Sequence, residues 1–378
     1  MALTAASCSP RVAAPDAPRA SAKCPNDGVL EGRPQAETHG TTATGPWLYQ
    51  RVAAGPHVQD LAHAVDLALD NSTGCAIIEG GDVKCWRGIR VIPNRGKGTV
   101  RFDPKATLLP EVHQAVSITA SENEYCAILR DRSVTCWRHP PYGDASTASA
   151  TPLPGARNIR SLATLSVSSD KIGVTMDGEL LFWGISPAVG FDSPASFGGP
   201  ARYRSAVAVA GASLAQLGFC VLLVDGTVRC AGPAYVSNEL SIPIAGAKAM
   251  YGGNGPVTCV TLADRSLWCW GHAGGIGDGS TSASTSTMGS PHRVLEDVRS
   301  ASVGVDDACA VLGDGGARCW GSNAAGAIGD GTREPRFTPT PVCGLSHARA
   351  IAVGQWSCAI VDDGHVACWG YTEAAKYD

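Results

Sequence analysis

The chain has 378 residues and a formal net charge of -4, with 17% charged and 44% hydrophobic residues, a balance that excludes general disorder. Its 45 glycines and 24 prolines imply many turns, the profile of a turn-rich β protein. Scattered Lys and Arg leave no global footprint for nucleic acid, and no run of about 18 apolar residues offers a transmembrane helix.

Residues 1–46 are rich in Ala, Pro, Ser, Thr and Gly without hydrophobic periodicity, and read as a linker or processed segment ahead of the fold. Within them, Ala5-Ala6-Ser7-Cys8 loosely resembles a bacterial lipoprotein cleavage site that lacks its apolar upstream stretch. That makes Cys8 a candidate lipidation site and a lipid anchor a candidate mode of attachment.

From residue 47 to 378 one unit recurs every 39 to 51 residues, a period that marks propellers and solenoids. The unit is a cysteine, a turn, and a Cys-Trp ten residues on. It opens with Cys75 to Cys85-Trp86, just after Asn71-Ser72-Thr73, which fits a glycosylation acceptor. A basic insert follows, with Arg87, Arg90, Arg95, Lys97, Arg101 and Lys105 against only Asp103. It reads either as a solvated loop or as a contact surface for an acidic protein, a polyanion or a lipid head group.

The second unit is Cys126 to Cys136-Trp137, and the third has Ile172 and Phe182-Trp183 in place of both cysteines. Cys220 and Cys230 keep the spacing but precede Ala231; Cys259 to Cys269-Trp270, Cys309 to Cys319-Trp320 and Cys358 to Cys368-Trp369 complete seven copies. Losing both cysteines together is what a bond between them predicts. Six residues into each copy stands Gly81, Arg132, Gly178, Gly226, Arg265, Gly315 or Gly364. That position suits the left-handed residue closing a three-residue hairpin loop, a type I turn with a glycine bulge. Such a loop sets the two cysteines opposite one another on a non-hydrogen-bonded rung, close enough for a disulfide. Apolar pairs such as Ile77 with Val83, Ile128 with Val134 and Ile360 with Val366 share that face, which is therefore buried.

Zinc motifs bring cysteines two to four apart with a second pair nearby, and none of these pairs does so. Neither a metal nor another cofactor is expected. Six disulfides would be reduced in a cytosol, so the pattern places the protein in the periplasm, at the cell surface or outside the cell.

The stretch Trp320-Gly-Ser-Asn323-Ala-Ala-Gly326-Ala-Ile328-Gly329-Asp330-Gly331-Thr332, followed by Pro341-Val342, resembles a complete repeat of the regulator-of-chromosome-condensation family. Trp270-Gly271 through Gly277-Asp278-Gly279-Ser280 repeats it without the Asn, and earlier copies keep the hairpin but lose the glycine signature. The resemblance implies an all-β, seven-bladed β-propeller over residues 47–378. Residues 47–66, where Pro56, Val58 and Leu61 resemble Pro341, Val342 and Leu345, would supply an N-terminal strand that closes the ring. The Trp residues then read as core fillers and Gly-Asp-Gly as turn chemistry, since too few carboxylates surround Asp278 and Asp330 for a calcium cage.

The nine histidines fall in no metalloprotease spacing, and no nucleophile elbow or phosphate loop occurs. Members of this family include chromatin-binding nuclear proteins that catalyse nucleotide exchange and secreted bacterial propellers that inhibit β-lactamases. Disulfides, mild acidity and the lack of a basic tail favour an exported, monomeric scaffold that recognises another protein through face loops, inhibitory or adhesive, without catalysis. The rival readings are carbohydrate binding, with Trp47, Trp268 or Trp356 stacking on sugar rings, and an enzyme with its site in the central channel. Cys8, Cys24 and Cys343 stand outside the pairs; with Cys8 lipidated, the other two would pair.

Overall fold

The computed structural model describes residues 57–70, 73–87, 90–94, 97–101, 105–121, 124–138, 148–164, 170–184, 205–212, 218–231, 240–253, 255–271, 274–281 and 290–370. All lie within the unit Thr42–Asp378. They form seven antiparallel sheets of three or four strands and one two-stranded ribbon. The inner strands of the seven sheets are Ala64–Leu69, Ala115–Ser121, Ile159–Thr164, Ala206–Ala212, Ala247–Gly252, Val298–Val303 and Ala350–Val353. Each contacts the next in chain order, and the seventh contacts the first. The sheets are therefore the blades of a seven-bladed β-propeller, numbered here 1 to 7 along the chain.

In every blade the inner strand leads to a hairpin, and in blades 1, 2, 4, 5 and 6 a fourth strand pairs outside it. The expected hairpin geometry is present throughout. Each turn residue is left-handed, with φ of 96° at Gly81, 69° at Arg132, 83° at Gly178, 81° at Gly226, 64° at Arg265, 82° at Gly315 and 72° at Gly364. The two cysteines of each pair are register partners, as are Ile172 and Phe182 in blade 3. All six pairs are disulfides, with Cα atoms 4.0 or 4.1 Å apart, the approach that a non-hydrogen-bonded rung allows.

A second left-handed residue precedes each inner strand: His63, Gln114, Asn158, Ser205, Gly246, Asp297 and His347. It presents the next backbone N–H to the preceding blade's turn. Ala115 donates to Gly81 at 2.8 Å, Ile159 to Arg132 at 2.9 Å and Ala348 to Gly315 at 2.9 Å. Each hairpin turn thus anchors the start of the next blade, and the turns share one face of the ring, here the turn face. The opposite face carries the connections from inner to second strands and is the loop face.

The hairpin tryptophans fill the spaces between blades. Trp86, Trp137, Trp270 and Trp320 are almost wholly buried. Trp320 Nε1 donates to the Gly275 carbonyl at 2.8 Å, and Trp369 Nε1 to the Ala327 carbonyl at 2.8 Å. Both acceptors lie in the glycine signature of the preceding blade. A Cβ on Gly329 would fall 2.7 Å from the Trp369 ring, so this glycine is required by the close approach of the next blade's indole. Blades that precede Trp86, Trp137 and Trp270 lack the signature, and those three indole nitrogens are buried without a partner among the described residues. The repeat signature thus offers a carbonyl and a flat surface to Trp320 and Trp369, whereas Trp183 finds the Pro154 carbonyl of blade 2 at 2.8 Å without it.

The closing strand expected within residues 47–66 is not seen as a strand. Residues 47–56 lie outside the described residues, and those that follow give a single antiparallel bridge between His57 and Ala367. Val58 N–H donates to the Val366 carbonyl at 3.0 Å, as Val342 N–H does to Ala317 at 3.0 Å in blade 6. Val58 thus occupies on blade 7 the place that Val342 occupies on blade 6.

Candidate binding faces

The basic insert contains a hairpin of its own. Arg90–Asn94 pairs with Lys97–Arg101 as the separate ribbon, with Arg90 opposite Arg101, Ile92 opposite Thr99 and Asn94 opposite Lys97. The ribbon leaves blade 1 after Arg87, at the loop-face end of the hairpin's second strand, and the chain returns at the outer strand Thr107–Leu108. The other members of the set fall elsewhere. Arg87 is half-buried opposite Thr73 within blade 1, Lys105 lies 3.7 Å from Asp60 as an ion pair, and Arg95 is outside the described residues.

The loop face also holds a buried polar joint that sequence reasoning missed. Asp70 Oδ1 accepts from Thr73 N–H at 2.6 Å and Oδ2 from the Thr73 hydroxyl at 2.8 Å. The Thr73 hydroxyl in turn lies 2.9 Å from the Tyr125 hydroxyl of blade 2. Burial pushes the Tyr125 phenol well up from its ordinary value, and the Asp70 charge adds to that. In blade 6, Asp307 Oδ1 accepts from Asn323 N–H at 2.9 Å, while burial raises its carboxyl from 3.8 to about 6. Asn323 is wholly buried and donates from Nδ2 to the carbonyls of Thr332 and Glu334 at 3.1 and 2.9 Å. The motif asparagine is thus a pin for its own loop.

Asp330 and Asp278 prove to be turn formers. Asp330 Oδ1 accepts from Thr332 N–H at 2.9 Å and Oδ2 from Arg336 Nε at 2.6 Å. Asp278 repeats this with Ser280 N–H at 2.9 Å. Among the described residues no cluster of His, Cys, Asp and Glu is arranged to hold a metal ion.

One cleft of about 590 Å³ opens where the segment before blade 1 meets blades 7 and 1. His57 and His365 meet there edge to face at 5.8 Å, and Lys84 Nζ donates to the Asp60 carbonyl at 2.6 Å. Its lining residues include no grouping of nucleophile, base and orienter.

The tryptophans singled out for sugar stacking fare differently. Trp356 is only 4% exposed and Trp268 is half-buried with Nε1 donating to Ser266 at 2.9 Å; Trp47 lies outside the described residues. Trp356 therefore corrects the expectation, because its indole is buried at the seam between blades 7 and 1. Cys8, Cys24 and Asn71 also lie outside the described residues.

Disulfide-pinned hairpins and blade-to-blade turn anchors define a seven-bladed propeller, in which the stretch around Trp320 carries the signature of a regulator-of-chromosome-condensation repeat. Residues 314–361 match the family described as the regulator of chromosome condensation (RCC1) repeat. Among solved structures, Prp20p from Saccharomyces cerevisiae, in a study of its binding to Gsp1p and histones, is 15% identical over 83% of both chains, with a TM-score of 0.58. The structure of Kap60 bound to yeast RCC1 (Prp20) matches at 13% identity over 91% of this chain and 96% of that one, TM-score 0.60. Human WBSCR16 matches at 13% identity over 82% and 87%, TM-score 0.55. At these identities the likeness is one of fold. The comparison with curated proteins gives no match.

Proposed function

We propose that this protein is an exported scaffold that recognises another protein through the connections of its blades, and that it works by binding, without catalysis. The observation that carries this reading is the disulfide across six of seven hairpins, which locks the frame and leaves chemical variety to the connections. Disulfides on this scale persist in oxidising compartments, which supports export. The binding of proteins by the yeast relatives is in keeping with such a role. The ribbon is one candidate contact, because its two strands carry Arg90, Lys97 and Arg101, a set of cations suited to an anionic surface.

The test is reconstitution with proteins of the same compartment, read by size-exclusion chromatography with light scattering. A complex of fixed stoichiometry that forms with the oxidised protein and is lost on reduction supports the reading. Turnover of a small substrate without any stable complex contradicts it.

A further inference from the structure

Six of the seven inner strands begin with a bulge, and the bulged residue occupies the same place in each of those blades, two residues after the left-handed residue that precedes the strand. The bulges fall at Val65, Val116, Arg160, Val207, Lys248 and Arg299. Arg349 holds the equivalent place in blade 7, following His347 and Ala348 as Val65 follows His63 and Ala64. Because the inner strands line the ring's centre, these seven residues surround the channel mouth on the turn face. None is acidic and four are cations.

Arg160, Lys248, Arg299 and Arg349 are all exposed. Only Arg349 has an ionic partner, Asp362 at 4.0 Å; the other three have none among the described residues. Several carboxylates on the turn face are already engaged: Asp131 accepts from Ser133 N–H, Asp225 from Thr227 N–H and Asp264 from Ser266 N–H, each at 2.9 Å, Asp177 accepts from Asn158 Nδ2, and Asp297 pairs with Arg265. Across the ring, Val65 and Val116 are 56% and 45% exposed, unusual for valines in so well packed a frame. Bulges re-aim side chains and recur beside functional sites; here they carry cations from blades 3, 5 and 6 and apolar groups from blades 1 and 2 toward one opening, and Arg349 of blade 7 stands just before its strand at the same place.

We propose that the turn face is the recognition face, and that its channel mouth receives an acidic segment of the partner protein. Carboxylates of that segment meet Lys248, Arg299, Arg349 and Arg160, while an apolar side chain lies against Val65 and Val116. This rests on the protein-recognition reading and adds the face and the chemistry of the partner. Exposed ion pairs are individually weak, so binding comes from their convergence and falls with salt.

The experiment is selection of a random displayed peptide library against the oxidised protein. Selected peptides are then measured against wild type, the double variant Lys248→Glu/Arg299→Glu, and the ribbon variant Arg90→Glu/Arg101→Glu. Both mouth residues are exposed, and an unchanged melting temperature verifies the frame. The expected peptides combine Asp or Glu with an apolar residue, lose about tenfold or more in affinity on reversal of the mouth, and are indifferent to the ribbon change. Peptides without acidic enrichment, or indifferent to the mouth reversal, overturn the inference. If such peptides depend on the ribbon, protein recognition stands and the mouth is wrong; if no peptide is enriched, both fail.

Discussion

Trp356 Nε1 donates to the Asp70 carbonyl at 3.3 Å, joining the last blade to the first across 286 residues. The contact sits at the loop-face ends of the two inner strands, where Gly354 also approaches Asp70 so closely that a Cβ would lie 2.8 Å from its carbonyl oxygen. On the turn face, His63 N–H donates to the Asp363 carbonyl at 3.2 Å. Blade 7 is thus fastened to blade 1 at both ends of the inner strand. Trp356→Ala removes a buried ring and this bond, and is expected to cost about 3–5 kcal/mol. Chemical denaturation checks it; a loss under about 1 kcal/mol would show that the seam is not held there.

Trp320 and Trp270 occupy equivalent places with different partners. Trp320 Nε1 is bonded to Gly275, whereas Trp270 Nε1 is buried with none among the described residues. Trp320→Phe is therefore expected to cost about 1 kcal/mol more than Trp270→Phe, the net worth of one hydrogen bond. Paired denaturation curves measure the difference, and equal losses would refute the role given to the signature carbonyl.

Gly329 and Gly331 both have positive φ, 73° and 80°. Only Gly329 faces the Trp369 indole; nothing lies within 4 Å of a Cβ on Gly331. Gly329→Ala should then cost about 1–3 kcal/mol more than Gly331→Ala through overpacking. Thermal melts of the two variants give the comparison.

Burial raises the carboxyls of Asp66 and Asp307 from 3.8 to about 6 in the fold, against backbone N–H donors that favour the charged forms. Such groups bind a proton more tightly folded than unfolded. Their contribution to stability is fully present below about 3.8 and is lost as pH rises through about 6. The Asp66→Asn/Asp307→Asn variant should show a flatter stability profile between those values, and melting temperature measured across that range tests it. An unchanged slope would contradict the assignment.

The hairpins were legible because every determinant is local: a cysteine, a turn residue that tolerates the left-handed region, and a second cysteine at fixed spacing. The family stretch around Trp320 was legible for the same reason. What joins the blades was not, because the glycine signature serves a tryptophan of the following blade, as Ala327 serves Trp369 at a separation of 42. Trp356, singled out for sugar stacking, is instead buried against blade 1, where its Nε1 meets the Asp70 carbonyl, a partner 286 residues away that no local pattern shows. Among the basic residues, sequence proximity grouped Lys105 with Arg90, although the return of the chain to blade 1 places Lys105 beside Asp60. The channel-mouth cations were hidden because they are scattered singly, one to a blade, and only the sevenfold register brings them together.

The proposed binding role depends on a disulfide-locked ring in an oxidising compartment. The most direct measurement is non-reducing peptide mapping of the protein isolated from its own host. The expected result links Cys75 to Cys85, Cys126 to Cys136, Cys220 to Cys230, Cys259 to Cys269, Cys309 to Cys319 and Cys358 to Cys368. Free thiols at these positions, or links between different hairpins, would contradict both the export and the locked frame on which that role depends.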